Sequence, residues 1–435
     1  MKLLPFLLSG LTAVCSGFPD PRKGRGGNIA IADFGLAAFS MFFMQSGSFL
    51  SFQRALEKGQ SRSNCQSLFG ISKIPSDNYI RDMLDAADPS LLAPCFLHIE
   101  NLLHEPAFCQ SFERLDGRTL IALDGTEYFC SQKIGCPNCQ TRKRANGKVE
   151  NYHSMLAATV VAPGHSKVIP LMPEFIAKQD GAEKQDCERA AVKRWYDRHG
   201  ARLKTLRPVY LGDDLFACQP VVKMITDNSD DFIFTCKETS HKTLYEYVNG
   251  ADLQRYQEKN RKGKSFETHR YRWIDAVPLR DGEDAALVNW VGFEIVDTAG
   301  RVKYSGSWIT SLPLSKSNVV AFVSCARARW KIENESFNVM KNHGYELEHN
   351  FGHGQEFLAM MLASLNLLAF AWHTVLDVIE PPWQKAREAA HKRSSFFAYL
   401  ATITSFVVFP SWSDLLQTLS TFSIPPEIIK TVKTE

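Results

Sequence analysis

Two short apolar runs set the framework of this chain. Thr119-Leu-Ile-Ala-Leu123 ends at Asp124, and Pro208-Val-Tyr-Leu-Gly212 ends at Asp213. Runs of this length and composition read as buried strands, each delivering a carboxylate where the apolar stretch stops. A third carboxylate stands far downstream in the segment from Arg327 to Gly354, R-A-R-W-K-I-E-N-E-S-F-N-V-M-K-N-H-G-Y-E-L-E-H-N-F-G-H-G. This segment opens as a helix, with Trp330, Phe337 and Met340 on one face at helical spacing. Glu333 falls on the same face, with Arg329 one turn before it and Lys341 two turns after. Two carboxylates at strand ends and a third on a later helix offer hard oxygen ligands for two divalent ions. That pattern points to metal-dependent phosphoryl transfer.

The remaining text divides into five regions. Residues 1–115 read as a helical DNA-end-binding region. In it Asn28 to Lys58, rich in Phe34, Leu36, Phe39, Phe42 and Phe43, ends at Gly59. Ser76 or Asp77 caps a helix over Asn78 to Ala86, and a third helix covers Leu91 to His104. Arg54, Lys58, Lys73 and Arg81 would face DNA; a cap that only packs on the core is the alternative. Residues 116–237 hold the first part of a mixed α/β core. Its parts are the strand ending at Asp124, a hairpin of Tyr152 to Ala162 with Ser166 to Met172, a helix from Cys187 to His199, and strands at Val209 to Gly212 and Asp230 to Cys236. Residues 238–315 read as an antiparallel β insertion, with strands over His269 to Val277, Leu287 to Val296 and Val302 to Pro313. Residues 316–380 return to helix and complete the core, and 381–435 form a helical C-terminal region. Helices are expected over Glu356 to Ile379, Trp383 to Leu400 and Ser411 to Phe422.

The net charge of +3 is small for 435 residues, but the basic residues cluster. Arg22-Lys-Gly-Arg25, Thr141-Arg-Lys-Arg144, Arg198 to Arg207 and Lys259-Asn-Arg-Lys-Gly-Lys264 are local patches of the kind that phosphates select, although a solvated face is the ordinary meaning of such a run. Eleven scattered cysteines argue for reduced thiols and a cytoplasmic chain. Two segments imitate export or membrane signals. Met1 to Gly17 has the outline of a signal peptide. Phe357 to Ile379 is near bilayer length, but Asn366, His373 and Asp377 would be costly in lipid, so a buried core helix is the favoured reading over a membrane anchor.

Leu123-Asp-Gly-Thr126, Tyr210-Leu-Gly-Asp-Asp-Leu-Phe216 and Arg329-Trp-Lys-Ile-Glu-Asn334, with Phe337 and Lys341, resemble the DDE transposases of bacterial insertion sequences, the cut-and-paste type. The resemblance implies a ribonuclease-H-like core with a β-strand insertion. It implies that Asp124, Asp213 and Glu333 hold two Mg²⁺ ions, one activating water or a DNA 3′-hydroxyl and the other stabilising the leaving oxygen. Cleavage and strand transfer at terminal inverted repeats, a homodimer in the synaptic complex and a nucleoid-associated location follow from it as expectations. Asp213 is preferred to Asp214 because it stands three residues before Phe216, and Glu335 is the rival to Glu333. The family's helix signature is met by Arg329, which would grip a phosphate. Ala326 replaces the family's Tyr, and Lys341 falls one residue late, with Met340 at the matching position. A Trp of the β insertion would stack on a flipped base; Trp273, Trp290 and Trp308 are available, with Trp290 and Trp308 taken as the DNA-contacting pair and core packing as their ordinary role. His343, His349 and His353 could contact DNA or serve only as structural histidines.

A second constellation is Cys130, Cys136-Pro-Asn-Cys139 and His153, which has the ligand types of a structural tetrahedral Zn²⁺ site. Such a clip would order the basic loop 131–150 and present Lys133, Arg142, Lys143 and Arg144 to DNA. Free cysteines are the alternative. At the level of function the alternative is a catalytically inactive, zinc-stabilised DNA-binding protein derived from a transposase.

Overall fold

The computed structural model describes residues 2–23, 27–46, 60–177, 186–263, 265–424 and 428. The expected DNA-facing residues Arg54 and Lys58, the helix end at Gly59, and Arg25 and Lys264 of the basic runs lie outside the described residues.

A single mixed sheet organises the chain, with helices packed around it. Its strands are β1 (Glu113–Arg114), β2 (Arg118–Ser131), β3 (Gln140–Lys143), β4 (Val149–Val161), β5 (Ile169–Pro170), β6 (Glu174–Ile176), β7 (Pro208–Gly212), β8 (Asp231–Thr235), β9 (Gln254–Lys262), β10 (Ser265–Pro278), β11 (Leu287–Val296) and β12 (Val302–Thr310). They run in the order β3-β4-β2-β7-β8-β12-β11-β10-β9, with β1 on β2 and both β5 and β6 on β4. β4 is antiparallel to β2, whereas β7 and β8 run parallel to it. The residues of β2 from Leu120 to Leu123 and all of β7 are buried, as expected of strands covered on both faces.

The antiparallel strands expected as an insertion are present, but they do not form a separate layer. β12 pairs with β8, so the β9–β12 meander extends the central sheet outward. Gly292 and Gly306 leave room for a ring on opposite faces of the sheet: a Cβ at Gly292 would come within 2.6 Å of Trp290, and one at Gly306 within 2.7 Å of Trp308. Trp273, Trp290 and Trp308 are accordingly buried.

The N-terminal helices belong to the same core. Helix Leu3–Ser16, the segment with a signal-peptide outline, turns Leu4, Leu7, Leu11 and Cys15 inward and packs on helices Ile31–Phe43 and Ala93–Leu102. The apolar helix Leu358–Ile379 is the only described helix long and apolar enough to cross a membrane, and it is packed inside the fold. Its polar residues have protein partners: Asn366 donates to the Tyr345 carbonyl, His373 Nδ1 meets the Tyr345 hydroxyl at 2.7 Å, and Asp377 accepts from Trp383 Nε1. Those contacts satisfy part of its polar groups, and the burial of the helix inside the fold matches the buried-core reading. After it the described residues form helices Pro381–Ala389, Arg393–Phe406 and Trp412–Thr421, so the single helix expected over Trp383 to Leu400 is divided in two.

Candidate active site and metal centre

Asp124 does not close its strand. β2 continues to Ser131, but its parallel partner β7 stops at Gly212, and the last aligned pair is Ala122 with Leu211. Asp124 and Asp213 therefore stand at matching positions, each two residues beyond that pair. Asp213 Oδ1 accepts from the Leu215 backbone N–H at 2.9 Å, which turns the chain away from the sheet. Asp214 faces elsewhere: its Oδ1 accepts from the Lys237 N–H and lies 3.4 Å from His241 Nε2. Asp213 is thus the member of the adjacent pair that joins Asp124.

Glu333 reaches the same place through an irregular helix. The α-helix Val319–Arg327 tightens to a 3₁₀ turn at Ala328–Trp330 and then widens to a π-helical turn at Ile332–Phe337 before helix Asn338–Asn342. π turns recur at functional sites because they displace one side chain from the regular face. The changes of pitch also correct the sequence reading. Phe337 and Met340 are buried as expected, but Trp330 is 43% exposed.

Arg329 links the carboxylates. Its Nη1 donates to Asp124 Oδ2 at 3.0 Å and its Nη2 to Glu333 Oε1 at 2.7 Å. Burial pushes the Asp124 carboxyl up to about 7, against the pull of Arg329 and with the help of Glu333, Asp213 and Glu188. A buried acid whose ionisation falls near neutrality beside other carboxylates is characteristic of functional sites.

Glu188, absent from the sequence argument, is a fourth acid. It opens helix Glu188–Leu203, and its own pKa is raised first by burial and then by Asp213. A Cβ at position 125 would lie 2.2 Å from Glu188 Oε1, so a side chain after Asp124 would displace this carboxylate from where it lies. The signal in the sequence is an acid in the first turn of a helix, too common to single out. An open cleft of about 620 Å³ runs alongside, lined by Gly125, Glu127, Gln140, Glu188 and Arg189.

The expected DNA contacts fare differently. Lys341 pairs with Glu348 at 2.7 Å. Arg142 bonds both Glu127 and Glu150, Arg144 bonds Glu150, and Lys143 is exposed. Of the basic residues expected on that loop, Lys133 and Lys143 are exposed, whereas Arg142 and Arg144 are engaged by carboxylates. Trp290 and Trp308 are buried and so are not placed to receive a base, which corrects their assignment as the stacking pair. The register puts their rings on opposite faces of the sheet, and each face buries a large apolar area.

The sulfur cluster is assembled with one change of member. Cys136, Cys139, His153 and His353 bring their ligand atoms within 4.8 Å of one another, the one such group of His, Cys, Asp and Glu among the described residues. Cys130 lies apart, its Sγ 3.4 Å from Glu150 Oε2. A bulge explains the exchange: β2 pairs Glu127 with Ser154 but Phe129 with His153, leaving Tyr128 as the extra residue. The bulge shifts the alternation, so Cys130 points away and Tyr128 stacks on His153 at 5.6 Å. Of the other histidines in the Arg327 to Gly354 segment, His343 is exposed and the His349 ring packs against Phe351.

No protein-family model matches this chain, and no curated protein matches it either.

Proposed function

We propose that the chain is a DDE-type transposase that cuts and joins DNA at the ends of its own element. The observation that carries this reading is the meeting of Asp124 and Glu333, far apart in sequence, on Arg329, with Asp213 near enough to Asp124 to raise its pKa. The strand order supports a ribonuclease-H-like core: antiparallel β4 and parallel β7 flank β2, parallel β8 follows β7, and two of the carboxylates stand beyond the end of the β2–β7 pairing.

The donor set is all carboxylate oxygen, which suits Mg²⁺ and not a soft metal. Two such ions, when bound, would activate the attacking hydroxyl and stabilise the leaving oxygen of an in-line displacement. The residues themselves do the rest. Arg329 balances the charge of Asp124 and Glu333 and holds them in register. For the carboxylates to turn their oxygens to a metal, Arg329 must release at least one of them, and its planar fork is then free to grip a phosphate. Asp124 must give up its proton, which near neutrality costs little. Glu188 raises the negative charge around it. The Cys and His group is soft and fully protein-derived, so its part is structural and suited to Zn²⁺. A homodimer bridging two DNA ends completes the reading.

The test is cleavage of linear DNA carrying the flanking ends of the encoding element, with Mg²⁺, Mn²⁺ or EDTA, for wild type and Asp124→Ala. Metal-dependent cutting that the variant lacks supports the reading. Specific binding without cutting under any metal would replace it with an inactive DNA-binding protein.

A further inference from the structure

We propose that Cys136, Cys139, His153 and His353 bind one Zn²⁺ and that this ion staples together two stretches of chain that the β9–β12 extension separates in sequence. The inference is independent of the transposase reading.

The distances fit one ion. A tetrahedron with Zn–S of about 2.3 Å and Zn–N of about 2.0 Å has S···S edges of about 3.8 Å and S···N edges of about 3.5 Å. Cys136 Sγ and Cys139 Sγ are 3.8 Å apart. Cys136 Sγ and Cys139 Sγ each lie 3.4 Å from His153 Nε2, and Cys139 Sγ lies 3.3 Å from His353 Nε2. The sulfur separation is nearly twice a disulfide bond, and both cysteines are free thiols. The loop is shaped for thiolates as well. The Cys139 N–H closes a turn on the Cys136 carbonyl, and the Cys136 N–H points at Cys139 Sγ at 3.4 Å.

Both imidazoles are held by rings from the β2 bulge: Tyr128 stacks on His153, and Phe129 lies 4.3 Å from His353. His353 Nδ1 is buried without a hydrogen-bond partner, while Nε2 faces Cys139 Sγ. Ligation through Nε2 would place the proton on Nδ1. The chain on either side is anchored too. Asn138 donates to the Glu356 carbonyl at 2.6 Å, and Asp85 accepts from the backbone N–H groups of Gln355, Glu356, Phe357 and Leu358.

The topological consequence is specific. Three ligands come from the hairpin that follows Asp124, and the fourth follows the helix that carries Glu333. The ion would therefore cross-link the two parts of the core and stabilise the fold, because only the folded chain brings the four ligands together.

The experiment measures zinc in the purified full-length protein by atomic emission, then replaces it with Co²⁺ and records the visible spectrum. One zinc per chain and the intense d–d bands of a tetrahedral two-thiolate, two-imidazole site are expected. Loss of an outer-shell partner typically weakens a metal site by about 10–100-fold, so losing a ligand in Cys136→Ser or His353→Ala is expected to lower zinc affinity by at least about 100-fold. Cys130→Ser is expected to keep stoichiometric zinc, and it serves as the comparison if a ligand variant fails to fold. Wild type that takes up neither metal overturns the proposal. So does Cys130→Ser that folds but loses zinc, or His353→Ala that keeps wild-type affinity and spectrum. None of these readouts involves DNA, so failure here leaves the cleavage experiment unaffected.

Discussion

Asp124→Asn is expected to stabilise the metal-free protein at high pH and to leave it almost unchanged at low pH. The folded carboxyl ionises at about 7 against an ordinary value of 3.8. The difference of about 3 units corresponds to about 4 kcal/mol, at about 1.4 kcal/mol per unit. The sign follows from proton counting. Between pH 3.8 and 7 the folded chain keeps a proton that the unfolded chain has lost, so stability falls as pH rises through this window and levels off above it. Asparagine, which resembles the protonated acid, removes that slope. At pH 5 the variant should gain only about 1.6 kcal/mol, and at pH 8 about 4 kcal/mol. With an unfolding entropy of about 2.1 cal/mol/K per residue, the pH 8 gain corresponds to a Tm rise of about 4–5 °C for this chain.

The assay is scanning calorimetry of both proteins in EDTA at pH 5 and pH 8. Equal Tm differences at the two pH values would refute the argument, because they would show that Asp124 does not carry a buried charge cost. A second arm adds Mg²⁺ at pH 8. Wild type should gain stability from an ion that binds only the folded carboxylates, and the variant should gain much less.

Other perturbations follow from particular contacts. Glu333→Gln should retain DNA binding and lose cleavage in a gel assay, while Glu335→Gln cuts normally; the reverse result would move the third carboxylate to Glu335. Asp85→Ala removes the acceptor of four backbone N–H groups and should cost about 2 kcal/mol in denaturant unfolding, the upper range for a helix cap. Trp290→Ala should cost about 3–5 kcal/mol because the ring is buried. Trp330→Ala should leave Tm within a degree or two but weaken single-stranded DNA binding by about 1–3 kcal/mol, as loss of a stacking platform does; unchanged affinity would show that this exposed ring does not meet DNA.

What the sequence disclosed and what it hid divide along a physical line. Strand patterns are written locally, so Leu287–Val296 emerges with the bounds read from its alternation, and the fully buried runs before Asp124 and Asp213 emerge as neighbouring strands. β9 escaped because Gln254–Lys262 is a polar edge strand, where charge prevents further pairing and no apolar alternation is required. Trp330 was placed on the wrong face because periodicity assumes one helical pitch, and the chain here passes through two others. The sulfur cluster shows the deeper limit. Its C-x₂-C pair and His153 are close in sequence and were legible. The choice between Cys130 and His353 rested on a one-residue bulge at Tyr128 and on a contact spanning 214 residues. Cys130 had the better spacing and the correct chemistry, but one inserted residue in β2 turned it from the cluster toward Glu150. The same bulge set Tyr128 and Phe129 against the two imidazoles, so the feature that rejects the nearer ligand is also the one that seats the distant one.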